Sequence, residues 1–155
     1  MAHILIVDDD ELIAELASEI LIADGHACGW VTEGAKALEL LNWKRPDLLL
    51  LDQDMPGMSG TQVLRQIRAS SGLYDLPVIM FTAMSGAGDE EQARYNGAQD
   101  YIRKPFDAKF MSLKIRQVLT AREEGPKHRD LREFLAQSNG YAAENQPVIH
   151  ARRYV

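Results

Sequence analysis

Five carboxylates stand at the ends of two apolar runs. His3-Ile4-Leu5-Ile6-Val7 leads straight into Asp8-Asp9-Asp10, and Leu48-Leu49-Leu50-Leu51 leads into Asp52-Gln53-Asp54. If both runs are neighbouring strands, their acidic ends meet at one edge of a sheet. Carboxylates held that close repel one another unless a proton or a cation intervenes. A hard divalent cation such as Mg2+, bound by one or two carboxylates together with phosphate oxygens, meets that need. Two further polar side chains close apolar runs in the same way. Thr82 follows Val78-Ile79-Met80-Phe81, and Lys104-Pro105 follows Tyr101-Ile102.

The elements that must position these groups can be read from the pattern. Short uninterrupted apolar runs are the habit of strands buried on both faces, as in a parallel sheet. Five are visible: 4–7, 28–31, 48–51, 78–81 and the short Tyr101-Ile102. Between them lie segments of helical period. Glu11 to Ala23 carries Leu12, Ile13, Leu16, Ile20 and Leu21, with Asp10 placed as an N-cap and Asp24-Gly25 as a stop. Gly34 to Leu41 is a second helix, and Val63, Leu64 and Ile67 mark a third after the loop Met55 to Gly60. Asp89 to Tyr95 is a weaker and more polar fourth, and Lys109 to Ala121 a fifth that presents Phe110, Leu113, Val118 and Leu119. Strands alternating with helices imply an α/β fold, a doubly wound five-stranded parallel sheet with helices on both faces. In such sheets ligands bind outside the carboxyl ends of the strands, where the strand order reverses.

At 155 residues, the chain has about the length of one domain with a real core. Its formal charge of −6 and its pI near 5.2 argue against direct nucleic-acid binding, which depends on Lys and Arg neutralising phosphates. The single cysteine, Cys28, excludes an internal disulfide framework and fits a reducing compartment. No signal peptide is visible, and no apolar segment approaches the roughly 20 residues that span a bilayer, so no membrane association and a cytoplasmic location are expected. The four histidines are scattered and suggest neither a metal centre nor a phosphohistidine. Trp30 and Trp43 read as packing residues, and Cys28 as a core residue.

The motifs, in their order and spacing, resemble the receiver domain of two-component response regulators. The resemblance covers roughly residues 1–121. It rests on Val7-Asp8-Asp9, on Leu51-Asp52-Gln53-Asp54-Met55-Pro56-Gly57 with Gly60, on Phe81-Thr82-Ala83 and on Lys104-Pro105-Phe106. It implies a flavodoxin-like sheet in strand order 2-1-3-4-5. It also implies Asp52 as phosphoacceptor, with Mg2+ held by Asp9, Asp52 and the backbone carbonyl of Asp54, and by Asp8 through a bound water. Thr82 and Lys104 would bind phosphoryl oxygens, Ala83 would leave room for the group, and Lys104-Pro105 would be cis. Tyr101 matches the fifth-strand aromatic that couples phosphorylation to the surface of the fourth helix, fifth strand and fifth helix. Such a domain is a signalling module that catalyses only its own phosphorylation and dephosphorylation. The implied partners are a sensor histidine kinase or phosphotransfer protein upstream, and a docking protein or a second copy downstream.

Other readings stay open at this level. Asp52-x-Asp54 after an apolar run loosely matches phosphatases of the haloacid dehalogenase type, although their nucleophile lies on the first strand. A pseudo-receiver that docks without being phosphorylated is a third possibility, against which every acidic and basic position is filled. Beyond Arg122 the composition changes, so 122–155 is expected to be a tail or linker with at most one short amphipathic helix carrying Leu131, Phe134 and Leu135. No DNA-binding helix-turn-helix is recognisable there, which leaves either a single-domain regulator or a receiver that is part of a longer protein.

Overall fold

The structure is a computed structural model that describes residues 1–83 and 87–124. Among the described residues ten elements alternate: β1 (His3–Val7), α1 (Glu11–Ala23), β2 (Ala27–Val31), α2 (Gly34–Leu41), β3 (Leu48–Leu51), α3 (Gly60–Ala69), β4 (Val78–Thr82), α4 (Ala87–Tyr95), β5 (Asp100–Arg103) and α5 (Ala108–Glu124). The strands form one parallel sheet in the order β2-β1-β3-β4-β5. The chain winds outward from β1 to β2 and then returns to the other side, so the order reverses between β1 and β3.

Alternation along the strands sorts the core into two layers. Leu5, Val7, Leu49, Leu51, Val78, Met80 and Tyr101 face the side covered by α2, α3 and α4, against Ala37, Leu41, Val63, Leu64, Ile67 and Ala93. Ile4, Ile6, Leu48, Leu50, Ile79, Phe81 and Ile102 face α1 and α5, against Ala14, Ala17, Leu21, Met111, Ile115 and Val118. All four leucines of β3 are fully buried, and each contributes about 1.5–3 kcal/mol on leaving water. This is why the most apolar run became the central strand.

Helix ends follow the expected chemistry. The Asp10 carboxylate accepts hydrogen bonds from the amides of Leu12 and Ile13, and Gly25, at φ 95°, continues the chain where a side chain would be strained. Ser59 and Gln62 form a capping box at the start of α3.

The buried faces of α1 and α5 differ from their bulkiest apolar positions, and one expectation, for the tryptophans, is corrected. On α1 the packed face is Ala14, Ala17, Ser18 and Leu21, while Leu12 is 78% exposed. On α5, Met111, Ile115 and Val118 are inside, and Phe110 and Leu113 are largely outside. Trp43 is 85% exposed and Trp30 lies on the edge strand β2, partly in solvent, so neither is a core packing residue. The chain divides into Met1–Thr120 and Ala121–Val155; the helix expected around Leu131 to Leu135 lies outside the described residues.

Candidate functional site

The sheet register brings the acidic residues together. Val7 of β1 pairs with Leu51 of β3, so Asp8 and Asp52 leave adjacent parallel strands side by side. Neighbouring strands are about 4.8 Å apart. The backbone holds the pair in place: Asp52 N–H donates to Val7 O at 2.9 Å and Asp8 N–H to Val31 O at 3.1 Å. Oxygens of Asp8, Asp9 and Asp52 all lie within 4.8 Å of one another. Asp8 and Asp52 are buried, and Asp9 is exposed at the rim.

Lys104 reaches this cluster from the far side. It follows Arg103, which pairs with Thr82 across β4 and β5, and its own N–H donates to Thr82 O at 2.9 Å. Its ammonium lies 2.5 Å from Asp8 and 3.5 Å from Asp52, above the ring of Phe81 at 4.8 Å. Phe106 packs edge-on against Phe81 at 5.1 Å, which supports the face over which the lysine passes. The Lys104-Pro105 peptide is cis, as the resemblance implied.

Burial pushes the Asp52 carboxyl up to about 7; Lys104 opposes the rise, while Asp8 and Asp9 add to it. One lysine therefore does not neutralise the cluster. The clustered donors are all oxygen, the atom type a hard cation such as Mg2+ favours, and oxygens on one Mg2+ lie at most about 4.2 Å apart. The three carboxylates fit such an ion after closing by less than about 1 Å.

Thr82 is buried at the end of β4, and Ala83 follows it exposed. Tyr101, 7% exposed, is turned inward. With Thr82 it borders a small cavity of about 60 Å³ between the acceptor loop and α4, whose other walls include Gln53, Thr61, Gln92 and Asn96. Burial raises the Tyr101 phenol above its ordinary range, with Asp89 adding to the effect and Arg103 opposing it. The Asp54 side chain is exposed in the loop after Asp52 and is not one of the three clustered carboxylates.

Two contributors carried no signal in the sequence beyond their polarity. Gln53 and Thr61 are hydrogen-bonded to each other beside the acceptor. Gly60, which closes the acceptor-loop motif in the sequence, is a steric requirement. A Cβ there would stand 2.2 Å from Asp52 O and 2.9 Å from Gln53 Cα, so only glycine lets α3 begin against the acceptor's own backbone.

Among the described residues no helix is long and apolar enough to cross a membrane. Comparison with known proteins gives one consistent result. The family model of the response regulator receiver domain matches residues 4–116. The DNA-binding response regulator MtrA of Mycolicibacterium smegmatis is 38% identical over 124 residues, which cover 80% of this chain and 53% of MtrA. The sensory transduction protein RegX3 of Mycobacterium bovis is 35% identical over 152 residues, covering 90% of this chain and 66% of that protein. The solved structure of the chemotaxis response regulator CheY4 of Vibrio cholerae superposes with a TM-score of 0.72 at 26% identity, covering 76% of this chain and 98% of that one. The chain thus spans about half the length of MtrA. On the family match, the relatives and the sheet topology, this chain belongs to the response regulator receiver domain family.

Proposed function

We propose that this chain accepts a phosphoryl group on Asp52 and uses it to switch a docking surface. The observation that carries the reading is the buried Asp8–Asp52 pair, with Asp9 at its rim and Lys104 spanning both. The chemistry is displacement at phosphorus. An Asp52 oxygen forms the new P–O bond while the bond from phosphorus to the donor breaks, and the bonding pair leaves with the donor. For a histidine kinase or phosphotransfer protein that donor atom is an imidazole nitrogen. A carboxylate is a weak nucleophile, so the domain contributes in-line placement and charge neutralisation. Lys104 supplies one positive charge, the Thr82 hydroxyl donates to a phosphoryl oxygen, and Ala83 leaves space beside it. Asp8, Asp9, Asp52 and the Asp54 carbonyl would hold Mg2+, whose charge would supply the remaining neutralisation.

Phosphorylation adds about −1.5 to −2 charge at the end of β4. Drawing Thr82 toward it would enlarge the cavity that Tyr101 borders beside α4, and Asp100, next to Tyr101 on β5, links that strand to both α4 and α5. These elements are already cross-linked. Asp100 on β5 pairs with Arg94 of α4 at 2.9 Å and with Lys114 of α5 at 3.1 Å. A shift of one is therefore felt by the others, which supports this face as the output for a partner or a second copy. The phosphatase alternative has no support in the geometry. Asp52 ends the third strand rather than the first, and Asp54 lies outside the carboxylate cluster.

The extent of one match favours a second reading of the context, that the receiver is the first part of a longer regulator. The RegX3 alignment covers 90% of this chain, more than residues 4–116 account for. On that reading the acidic composition argues against nucleic-acid contact by the receiver alone, and MtrA's DNA binding would be matched by residues beyond it. The coding sequence after Val155 tests this directly.

The primary test is mass spectrometry after incubation with acetyl phosphate and Mg2+. The wild-type chain should gain one phosphoryl group and Asp52→Asn none. An unlabelled wild type, or undiminished labelling of the variant, overturns the assignment.

A further inference from the structure

Asp52 and the loop that follows it are held by different contacts. Asp52 is tied to β1 through its N–H to Val7 O. Gln53 is tied to α3 twice over. Its backbone carbonyl accepts from Gly60 N–H at 3.0 Å, and its side-chain oxygen accepts from both the N–H and the hydroxyl of Thr61, each at 2.8 Å. Thr61 N–H belongs to the first turn of α3, where amides have no partner within the helix. The neighbouring Gln62 N–H is taken by Ser59 Oγ at 3.2 Å, so the Gln53 carboxamide supplies what the capping box does not. Both residues are half-buried, and an apolar side chain at 53 would leave the Thr61 donors to find water instead.

The residue after Gln53 is Asp54, whose carbonyl completes the proposed metal set. We infer that Gln53 is a positioning residue. Its carboxamide, clamped on Thr61, fixes the peptide that aims the Asp54 carbonyl, and so it sets Mg2+ affinity rather than the reactivity of Asp52. The inference rests on the phosphoacceptor reading above. It predicts a separation of effects, because Asp52, Thr82 and Lys104 are positioned by β3, β4 and β5 without help from Gln53.

The test uses the full chain with four variants: Gln53→Leu, Thr61→Val, Thr61→Ser and the Gln53→Leu/Thr61→Val double. Mg2+ affinity of the unmodified protein is measured by calorimetry, and phosphorylation rates are taken with acetyl phosphate at limiting and saturating Mg2+. Loss of the clamp in Gln53→Leu should raise the Mg2+ Kd about five- to tenfold, the scale of one or two net hydrogen bonds. The rate at saturating Mg2+ should stay within about twofold of wild type, a shift in metal binding without a shift in the chemical step. Thr61→Val, which loses one bond, should weaken binding about two- to threefold, and Thr61→Ser should restore it. The double variant should be no weaker than Gln53→Leu, since both changes break the same clamp. An unchanged Mg2+ Kd in Gln53→Leu, effects that simply add, or a rate defect that Mg2+ does not rescue would each overturn the inference. If Gln53→Leu does not fold, the Val and Ser pair at position 61 decides alone. Failure of the receiver reading looks different: the wild type is then unlabelled, or Asp52→Asn labels as well as it does.

Discussion

Lys104 Nζ lies 2.5 Å from Asp8 Oδ2 across 96 positions of sequence. The lysine side chain is 15% exposed and the aspartate is sealed from water. A buried carboxylate that loses the cation beside it is costly, on the order of 3 kcal/mol. Lys104→Met should therefore lower the unfolding free energy by about that amount in Mg2+-free buffer, read as a lower urea midpoint. Added Mg2+ should recover part of the loss by taking over the charge. Equal midpoints for the two proteins without metal would mean that the Lys104–Asp8 pair adds nothing to folding stability.

Mg2+ should stabilise the unmodified wild-type domain as well. A ligand that binds only the folded state stabilises it by mass action, about 2.7 kcal/mol at 100 times its Kd. The three carboxylates within 4.8 Å are the basis for expecting such a site. Melting curves with and without millimolar Mg2+ should separate for wild type and coincide for Asp9→Ala, which removes the exposed member. The same Tm gain in both proteins would place the ion elsewhere.

How far the site could be read from sequence follows from what each residue needs. A buried parallel strand is an unbroken apolar run, so Leu48 to Leu51 and Ile4 to Val7 announce both their type and their ends, and Asp8 and Asp52 follow automatically. Helix orientation was harder to read. On α1 the bulky Leu12 and Leu16 follow the helical period, yet the small Ala14, Ala17 and Ser18 are the ones packed inward. Size pattern alone did not reveal that face. The Gln53–Thr61 clamp and the contact that demands Gly60 depend on how α3 docks against the acceptor loop, and local spacing does not encode docking.

Tyr101 and α5 should carry the phosphorylation-dependent association. Phe110 on α5 is 45% exposed, so Phe110→Ala tests the face without opening the core. Sedimentation of the phosphorylated protein should show weaker self-association or partner binding for Phe110→Ala and for Tyr101→Ala. The rival is the tail with Leu131, Phe134 and Leu135. If a chain ended at Ala121 loses the association while both variants keep it, the output lies in the tail.

Cys28 should be a slow nucleophile. It packs against the α1 and α5 side of the sheet, and burial pushes its thiol up to about 11. The thiolate is the reactive form, and an ordinary cysteine titrates near about 8.5. At pH 8, alkylation by iodoacetamide should be about a hundredfold slower than for a free thiol, rising tenfold per pH unit. Because the folded state holds this proton more tightly than the unfolded one, stability should fall as pH rises from 9 toward 11. A reaction rate that levels off near pH 9 would show an unperturbed thiol.

Outside the site, loss of Arg68 should be costly. Its guanidinium donates to the carbonyls of Tyr74, Leu76 and Gly97 and to the Gln99 side chain, at 2.7–3.1 Å. One side chain thus ties the end of α3 to the loops before β4 and β5, the strands that deliver Thr82 and Lys104. Gly97 accommodates it, since a Cβ there would stand 2.9 Å from Arg68 Nε. Hydrogen bonds to a charged group are worth about 1.5–3 kcal/mol each. These share one donor group, so Arg68→Met should cost about 3 kcal/mol rather than their sum. Lysine cannot reproduce the planar fork, and Arg68→Lys should recover less than half of the loss in a urea titration. Phosphorylation at saturating Mg2+ should survive in either variant wherever it remains folded. Full rescue by lysine would reduce the role of Arg68 to charge alone.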